Sequence, residues 1–217
     1  MAAVRINLVN RDAWLKARRS RIGGSDAAAC VGLNPYKDNV TLWEEKMGMV
    51  IPEDISGKDY VRYGTKAEHY LRGLFALDFP EYQVSYTENN LYVNSAYPWA
   101  HASLDGELID PAGRKGVLEI KTTEIMQSSQ WAKWNGRVPD NYYCQIIHYL
   151  AVMEYDFAIL KAQIKSGSGL DARIETRNYL IERSDAEEDI QTLMAAEEKM
   201  HDCITTGRRP DLILPQI

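Results

Sequence analysis

Residues 103–123, SLDGELIDPAGRKGVLEIKTT, constrain the fold more than any other stretch of the chain. Two apolar runs with strand character, WAHASLDGELI and GVLEIKTT, lie on either side of the segment DPAGRKG. The Pro and Gly residues of that segment are typical of a tight turn. The pattern therefore predicts two neighbouring antiparallel strands that belong to one sheet.

Charged side chains interrupt both runs. Because side chains alternate along a strand, Glu119 and Lys121 share one face, with Leu118 and Ile120 on the other. A carboxylate beside an ammonium is commonly an ordinary ion pair, and Glu-x-Lys occurs often by chance. Asp105 precedes Glu119 by fourteen residues across the turn. Antiparallel pairing would therefore bring both carboxylates to one end of the sheet.

Two converging carboxylates repel each other unless a cation lies between them. A hard divalent ion such as Mg²⁺ takes oxygen ligands and keeps several waters for substrate phosphates. An ion held there can polarise a phosphoryl oxygen and lower the pKa of a bound water. Lys121 beside it could orient that water or stabilise charge on the phosphorus. These residue types together predict metal-dependent hydrolysis of a phosphodiester at a sheet edge.

Residues 58–77, KDYVRYGTKAEHYLRGLFAL, predict the clearest long helix. Leu71 and Phe75 fall on one face by 3.6-residue spacing, and Glu68 lies within that apolar face. Burying a carboxylate without a partner is costly. Two interpretations stay open: an ion pair with a nearby Arg or Lys, or a carboxylate directed into a site, for which Gly64 leaves room.

The remaining patterns predict helices first, then strands, a helix, two strands and a final helix. RDAWLKARR and VTLWEEKMG predict helices, and Ser25 is expected to cap a small Ala-rich helix. YQVSYT and LYVN predict a hairpin around ENN. NYYCQIIHYLAVME predicts a helix with Gln145 and Tyr149 on one side. DFAILKAQIK and ARIETRNYLIER predict strands joined by SGSGLD, and Ser184–Glu187 predicts a capping box for a helix that ends near Gly207.

This order of elements predicts an α/β (α+β) fold in which a central mixed β-sheet is flanked by helices. At 217 residues, the chain is expected to form one domain over residues 1–217. Within it we expect an N-terminal helical part (about 1–57), a catalytic core (about 58–165), and C-terminal strands with a helix (about 166–217).

Several function classes fit the chain poorly. No stretch approaches the ~20 apolar residues of a membrane helix, and the N-terminus MAAVRINLVNRD lacks the apolar centre of a signal peptide. The three Cys are far apart, which argues against zinc and disulfide frameworks and favours a reducing cytoplasm. The net charge of -6 argues against a passive nucleic-acid binder. The basic segment RDAWLKARRSR is either a solvated helix face or a local contact for DNA.

An Asp, then Glu-x-Lys on the next strand, with a Glu on an earlier helix and a Gln on a later one, resembles the restriction-endonuclease-like superfamily, written PD-(D/E)xK. The pattern is most similar to the lambda exonuclease and YqaJ-type phage recombination nucleases. The resemblance covers most of the chain, from DAWLKARRSRIGGSDAAACVGLNPY through YGTKAEHYLRGLF, ASLDG and LEIKT to YYCQIIHYL. Each motif alone is weak, but their order along the chain is specific. It implies a restriction-endonuclease-like core.

The resemblance also implies a metal site. Asp105 and Glu119 would bind the ion together with the backbone carbonyl of Ile120. Glu68 would support this ion, or a second one, through water. The implied ion is Mg²⁺, for which Mn²⁺ is expected to substitute, and either one or two ions fit the pattern.

Further roles follow from the same family pattern. Lys121 would act on the attacking water, and Gln145 would steady that lysine and the nucleophile end of the site. Leu104 stands where the superfamily pattern has Pro, at a position that shapes the backbone rather than the chemistry. Some relatives in the broader superfamily use a His ligand on an earlier helix, so His101, which lies on a predicted strand, is interpreted as structural. His148 follows Gln145 by three residues and is interpreted as a packing residue, and the sequence leaves the roles of both histidines open.

A second set of residues matches the family positions that grip a terminal 5′-phosphate. These are Arg18 and Ser25, and Ser25 at a helix start agrees with the preference of anions for free N–H groups. Arg19 and Arg21 leave open which arginine holds the phosphate. Tyr149, one turn after the helical Gln, is expected to line the same cleft.

The family implies a Mg²⁺-dependent exonuclease that degrades one strand of linear double-stranded DNA from its 5′ end. Members form ring-shaped trimers and pass the 3′ overhang to a single-strand annealing protein, so the implied compartment is the cytoplasm of a bacterial host cell. Two alternatives stay open: a structure- or sequence-specific endonuclease, and a non-catalytic DNA-end-binding or assembly module. The phosphate pair argues against the first, and the intact Asp105, Glu119 and Lys121 set argues against the second.

Overall fold

The computed structural model describes residues 2–167 and 169–214. The α-helices in these residues are α1 (Arg11–Arg19), α2 (Gly24–Cys30), α3 (Asn39–Lys46), α4 (Asp59–Asp78), α5 (Asp140–Met153) and α6 (Arg183–Thr206). The strands are β1 (Val4–Arg5), β2 (Ile22–Gly23), β3 (Gln83–Ser85), β4 (Tyr92–Asn94), β5 (Tyr97–Ala102), β6 (Gly106–Ile109), β7 (Lys115–Ile125), β8 (Phe157–Ser166) and β9 (Arg173–Glu182). Two 3₁₀ segments cover Ser128–Trp134 and Gly169–Asp171.

The strands form two mixed sheets with helices on their faces, which confirms the predicted fold class but divides the single predicted sheet in two. The smaller sheet has the order β1-β4-β5-β2, and the larger has the order β3-β6-β7-β8-β9. In the larger sheet β7 and β8 run parallel, and the other neighbours are antiparallel. The chain passes from β7 to β8 through α5, because a parallel pair needs a long crossover.

The long strand β7 is buried on both faces, as side-chain alternation predicts. Val117 belongs to the larger core cluster, which α5 and α6 complete. Leu118 and Ile120 face the opposite way and pack with Leu71 and Phe75 of α4. Helix α5 contacts strands of both sheets as well as α2 and α6. A charged side chain in the middle of β7, such as Glu119, therefore lies in a largely dehydrated setting between two packed layers.

The run WAHASLDGELI is not one strand, contrary to prediction. It divides into β5 and β6, which belong to different sheets. The Asn90 side chain accepts from the Leu104 N–H (2.7 Å) and donates to the Leu104 carbonyl (2.8 Å), as a strand partner would. This contact satisfies the backbone where the chain leaves one sheet for the other. Asp105 follows immediately, in the bend that precedes β6 and not within a strand.

The predicted hairpin of YQVSYT and LYVN is also wrong. Strand β3 pairs with β6 in the larger sheet, whereas β4 pairs with β1 and β5 in the smaller one. The loop between β3 and β4 contains Asn89, whose φ of 51° supplies a left-handed turn residue. The turn at Asn89 was therefore predicted correctly, but the strands on either side of it pair with other strands and not with each other.

The helix bounds are close to prediction, but two of the caps differ. Helix α2 is preceded by Gly23 as its N-cap, and the Gly23 N–H donates to the Asp26 carboxylate at 3.2 Å. Ser25 is thus the second residue of α2 and not its cap. Helix α6 begins at Arg183, so the capping box predicted at Ser184–Glu187 does not form. Its C-cap is Gly207, with φ 69°, as predicted.

Of the predicted SGSGLD connection, Ser168 lies outside the described residues. Among the helices that the structure describes, none combines the length and the apolar character that a bilayer crossing needs. The division into N-terminal, core and C-terminal parts stays a prediction.

Candidate active site

A cavity of about 550 Å³ opens where α1, α2, α4, α5 and β7 approach one another. Eight of the predicted site residues line it: Arg18, Ser25, Glu68, Asp105, Glu119, Lys121, Gln145 and Tyr149. Below, the acidic end denotes Glu68, Asp105 and Glu119, and the α1–α2 rim denotes Arg18 and Ser25. Residues far apart in sequence thus meet at one concave surface.

Glu119 is the most deeply buried member of the acidic end, with 1% of its surface exposed. Its Oε1 accepts from Lys121 Nζ at 2.6 Å and from Gln145 Nε2 at 2.7 Å. Its Oε2 is buried and has no hydrogen-bond partner within the described part of the chain. Burial first, and then the neighbouring Asp105, raise the pKa of Glu119 to about 8. Glu119 therefore has one satisfied oxygen and one oxygen that can take a cation.

Asp105 is held by the adjacent strand. Its Oδ2 accepts from the Ile120 N–H at 2.9 Å, which ties the start of β6 to β7. Burial raises the pKa of Asp105, although Lys121 and the Ile120 N–H both work in the opposite direction. Ile120 itself turns its side chain into the α4 cluster. The backbone N–H of Ile120 therefore lies against the Asp105 carboxylate, and metal binding by the Ile120 carbonyl stays a prediction.

Glu68 fulfils both interpretations left open by the sequence. Its Oε1 accepts from Arg72 Nη1 at 3.3 Å, one helical turn away, and it also lines the cavity. Burial and then the Asp105 charge raise the pKa of Glu68, so Arg72 offsets only part of the repulsion. Glu68 therefore forms an ion pair with Arg72 and also faces the cavity.

Lys121 lies beside these acids with 21% of its side chain exposed. Burial lowers its pKa, but the Glu119 and Asp105 carboxylates outweigh burial and raise the pKa above its ordinary value. The amine consequently stays protonated at neutral pH. Its Nζ also lies 5.3 Å from the centre of the Tyr142 ring. Lys121 is therefore a hydrogen-bond donor and not a proton acceptor.

Gln145 and Tyr149 connect the acidic end to α2. Gln145 Nε2 donates to the Tyr149 hydroxyl at 3.0 Å as well as to Glu119. The Tyr149 ring lies so close to Gly24 that a Cβ there would be 2.6 Å from Tyr149 Cε1. Gln145 was expected to steady Lys121, but its direct contact is with Glu119. Gln145 and Lys121 both donate to the same Glu119 oxygen, Oε1.

The α1–α2 rim contains one of the three candidate arginines. Arg18 lines the cavity and stacks on Trp14, with Cζ 4.3 Å from the ring centre. Trp14 Nε1 in turn donates to the Asn90 carbonyl at 2.9 Å. Arg19 and Arg21 are not among the lining residues that the structure describes. The geometry therefore favours Arg18 over its neighbours as the arginine that contacts a ligand.

The two histidines lie behind the cavity wall. His148 Nδ1 is 2.7 Å from Glu197 Oε1, with both side chains fully buried, and His148 Nε2 donates to the His101 carbonyl at 2.9 Å. His101 packs against Gly23, and burial followed by the Arg18 charge lowers its pKa to about 2. Neither histidine lines the cavity. The interpretation of both as structural agrees with this placement.

The residues fit a hard cation that keeps part of its water shell. No group of three His, Cys, Asp or Glu side chains in the described residues is arranged to enclose a metal by itself. The carboxylates of Asp105 and Glu119 nevertheless supply oxygen donors, and the unpartnered Glu119 Oε2 needs a positive partner. Mg²⁺ typically binds through one or two carboxylates and completes its shell with water and phosphate oxygens.

Sequence patterns missed three residues of this site. Arg72 was identifiable as an i+4 partner of Glu68. Trp14 and Asn90 gave no comparable signal, because their partners lie 76 and 14 residues away. Both of those residues act on the backbone beside the cavity and not on the carboxylates.

Comparison with known proteins identifies the family. Residues 13–156 match the YqaJ-like viral recombinase domain. The uncharacterized protein YqaJ of Bacillus subtilis is 30% identical over 191 residues, which is 80% of this chain. The chain spans about half of that relative, namely 53% of its length.

Solved structures share the fold. The alkaline exonuclease LHK-Exo of Laribacter hongkongensis superposes with a TM-score of 0.66 at 18% identity, over 92% of this chain and 97% of that one. The same protein in complex with dAMP gives a TM-score of 0.63 at 16% identity, over 92% and 97% of the two chains. With two thirds of its length inside the matching region, this chain belongs to the YqaJ-like viral recombinase domain family.

Proposed function

We propose that this protein is a Mg²⁺-dependent 5′-to-3′ exonuclease that digests one strand of linear double-stranded DNA and leaves 3′ single-stranded overhangs. The observation that carries the proposal is a single cavity lined by Asp105, Glu119 and Lys121 together with Arg18 and Ser25. Membership in a viral recombinase family and the fold shared with an alkaline exonuclease support nuclease chemistry. An enzyme that only cuts within a duplex has no use for a terminal-phosphate contact beside its carboxylates.

Asp105, Glu119 and the Ile120 carbonyl would hold one Mg²⁺, and Glu68 would support it or a second ion through water. Mn²⁺ is expected to substitute. When bound, the ion supplies Lewis-acid charge beside the scissile phosphate and lowers the pKa of water. The cation would also partner the Glu119 oxygen that has none among the described residues.

The protein's own side chains then orient the reactants. Lys121 stays protonated, so it can donate to the attacking water or to a phosphoryl oxygen but cannot remove a proton. Gln145 fixes the Glu119 carboxylate through its 2.7 Å bond to Oε1, and Oε2 keeps no hydrogen-bond partner among the described residues. Tyr149 connects Gln145 to α2, because its hydroxyl accepts from Gln145 Nε2 and its ring packs against Gly24.

Arg18 and Ser25 would bind the terminal 5′-phosphate. A guanidinium can form two parallel hydrogen bonds to phosphate oxygens, and a hydroxyl can donate a third. Family resemblance extends the proposal to a ring-shaped trimer and to a single-strand annealing protein that receives the overhang in the bacterial cytoplasm. The net charge of -6 fits a ring whose basic residues face inward.

A time course on matched DNA substrates tests the proposal. Linear duplex with a 5′-phosphate should be degraded in Mg²⁺, linear duplex with a 5′-hydroxyl more slowly, and covalently closed circles not at all. Equal digestion of closed circles would contradict an exonuclease and favour an endonuclease. Binding to ends without any hydrolysis would favour an assembly module.

A further inference from the structure

Arg72 contacts two parts of the acidic end at once. Its Nη1 donates to Glu68 Oε1 and also to the backbone carbonyl of Asp105, which belongs to a different element. Its guanidinium lies flat against the Tyr86 ring, with Cζ 3.6 Å from the ring centre. One side chain thereby joins α4, the start of β6 and the loop that follows β3.

The setting of Arg72 distinguishes it from an arginine that waits for a DNA phosphate. Only 12% of its side chain is exposed, although it lines the cavity. One of its terminal nitrogens is committed to Glu68 and Asp105, and one face of its guanidinium is covered by Tyr86. A planar, delocalised cation suits such a stacked contact, whereas a lysine ammonium does not.

The ion pairs at the acidic end show how Arg72 affects the carboxylates. Two of the three carboxylates of the acidic end form direct ion pairs with cations that line the cavity. Lys121 pairs with Glu119, and Arg72 pairs with Glu68. Each of these two cations therefore fixes the position of one carboxylate.

We propose that Arg72 is a positioning residue, which fixes Glu68 and the Asp105 backbone so that the acidic end is formed before any metal binds. Arg72 acts through these two partners and does not touch the reacting atoms. This inference rests on the proposed metal site. Partners that orient metal ligands typically change metal affinity by about 10- to 100-fold when they are removed.

A positioning role for Arg72 and a role in charge neutralisation predict opposite effects of Arg72 substitutions on metal affinity. If Arg72 only balanced charge, then Arg72→Lys would leave metal affinity unchanged and Arg72→Met would strengthen it. If Arg72 positions the acids, both substitutions weaken metal binding, because Glu68 and the Asp105 backbone lose their common anchor. Tyr86→Leu removes the stacking surface and should weaken binding less, whereas Tyr86→Phe keeps the ring and should match the wild type.

Calorimetric titration with Mn²⁺ alone, without DNA, tests the inference on the full chain. We expect the Mn²⁺ dissociation constant to rise about 10-fold or more in Arg72→Lys and Arg72→Met. Arg62→Lys is the matched control, because Arg62 lies on the same helix with 64% of its side chain exposed and pairs with Asp59. Circular dichroism checks folding. If the Arg72 variants do not fold, the test is the comparison of Tyr86→Leu with Tyr86→Phe: a higher Mn²⁺ dissociation constant in Tyr86→Leu alone supports the positioning role, and equal constants contradict it.

Unchanged or tighter Mn²⁺ binding in the Arg72 variants would overturn the positioning role. A nuclease assay of the wild type on linear duplex distinguishes two outcomes: the positioning role of Arg72 is wrong, or the proposed nuclease function is wrong. An active wild type whose Arg72→Lys variant keeps its Mn²⁺ affinity contradicts only this inference. A wild type that binds no Mn²⁺ and cuts no DNA contradicts both.

Discussion

The acidic end and the α1–α2 rim lie in one cavity, yet they are built from different kinds of structure. Glu119 and Lys121 lie on β7, which has eleven residues and two packed faces, and Glu68 lies on α4, which has twenty. Arg18 and Ser25 lie on helices of nine and seven residues, and α1 has no buried residue. Under the proposed function, the chemistry would depend on the core, whereas the contact of Arg18 with a DNA end would depend on α1, a short helix on the surface. Helix α2 lies between these extremes, because it is short but has five buried residues.

The difference predicts that damage to the acidic end abolishes catalysis for every substrate. Lys121→Ala removes the donor beside Glu119 and should lower kcat by about 10²- to 10³-fold while DNA binding is retained. Gel-shift and nuclease assays on the same duplex measure the two effects. Lys115→Ala is the matched control, because Lys115 lies on the same strand but is exposed. Full activity in Lys121→Ala would contradict the proposed role.

Damage to the rim should instead depend on the substrate. Arg18→Ala removes a charge-assisted contact worth about 1.5–3 kcal/mol, so KM for 5′-phosphorylated ends should rise by about 10- to 100-fold. Digestion of 5′-hydroxyl ends should change little. Arg19→Ala, next in sequence but outside the cavity lining, serves as the control. An equal loss on both kinds of end would mean that Arg18 supports the fold and not end recognition.

Gly24 lies where the two regions meet, so its substitution should affect both. A Cβ at Gly24 would be 2.6 Å from Tyr149 Cε1 and 2.9 Å from Gln145 Cγ. Gly24→Ala should destabilise the protein by about 1–3 kcal/mol, as overpacking typically does. Urea unfolding measures the change.

Gly73 provides the control for this substitution, because a Cβ there would meet nothing within 4 Å on the exposed side of α4. Gly73→Ala should stabilise the protein by up to about 1 kcal/mol through helix propensity. A Gly24→Ala protein as stable as the wild type would show that Tyr149 can move away, and that the two regions are not tightly joined.

The smallest expected effect concerns the core behind both regions. Burial lowers the pKa of His148, but Glu197 and the His101 carbonyl outweigh it and, with Asp26, raise that pKa above 6.5. Since the folded pKa exceeds the unfolded one, the pair contributes its full stability below about pH 6.5 and loses it as the pH rises through the folded pKa. Unfolding free energies of the wild type and Glu197→Gln, compared from pH 6 to pH 9, should converge as the pH rises. A constant difference would contradict this account.

Local patterns predicted the long elements well, and the reason is physical. Periodicity of 3.6 and 2 residues is visible within α4, α5 and β7 themselves, because each buries its own apolar face. These elements carry Glu68, Gln145, Glu119 and Lys121, so most of the acidic end was identifiable from the sequence.

The remainder depends on partners that are distant in sequence. The division of WAHASLDGELI between two sheets follows from the pairing of Asn90 with Leu104, which no periodicity encodes. The N-cap of α2 is Gly23 and not Ser25, and the Gly23 N–H donates to the Asp26 carboxylate in the first turn of the helix. Likewise, the i+4 spacing would have been enough to identify Arg72 as a partner of Glu68, but only the folded chain brings Arg72 to the Asp105 carbonyl.

Anomalous diffraction from a crystal soaked in Mn²⁺ tests most directly whether the acidic end is a metal site. We predict an anomalous peak in contact with Asp105 and with Glu119 Oε2, at roughly the 2.1 Å typical of small divalent ions. A second peak beside Glu68 would indicate two ions. A peak elsewhere, or none at saturating Mn²⁺, would contradict the central claim that these carboxylates hold the catalytic cation.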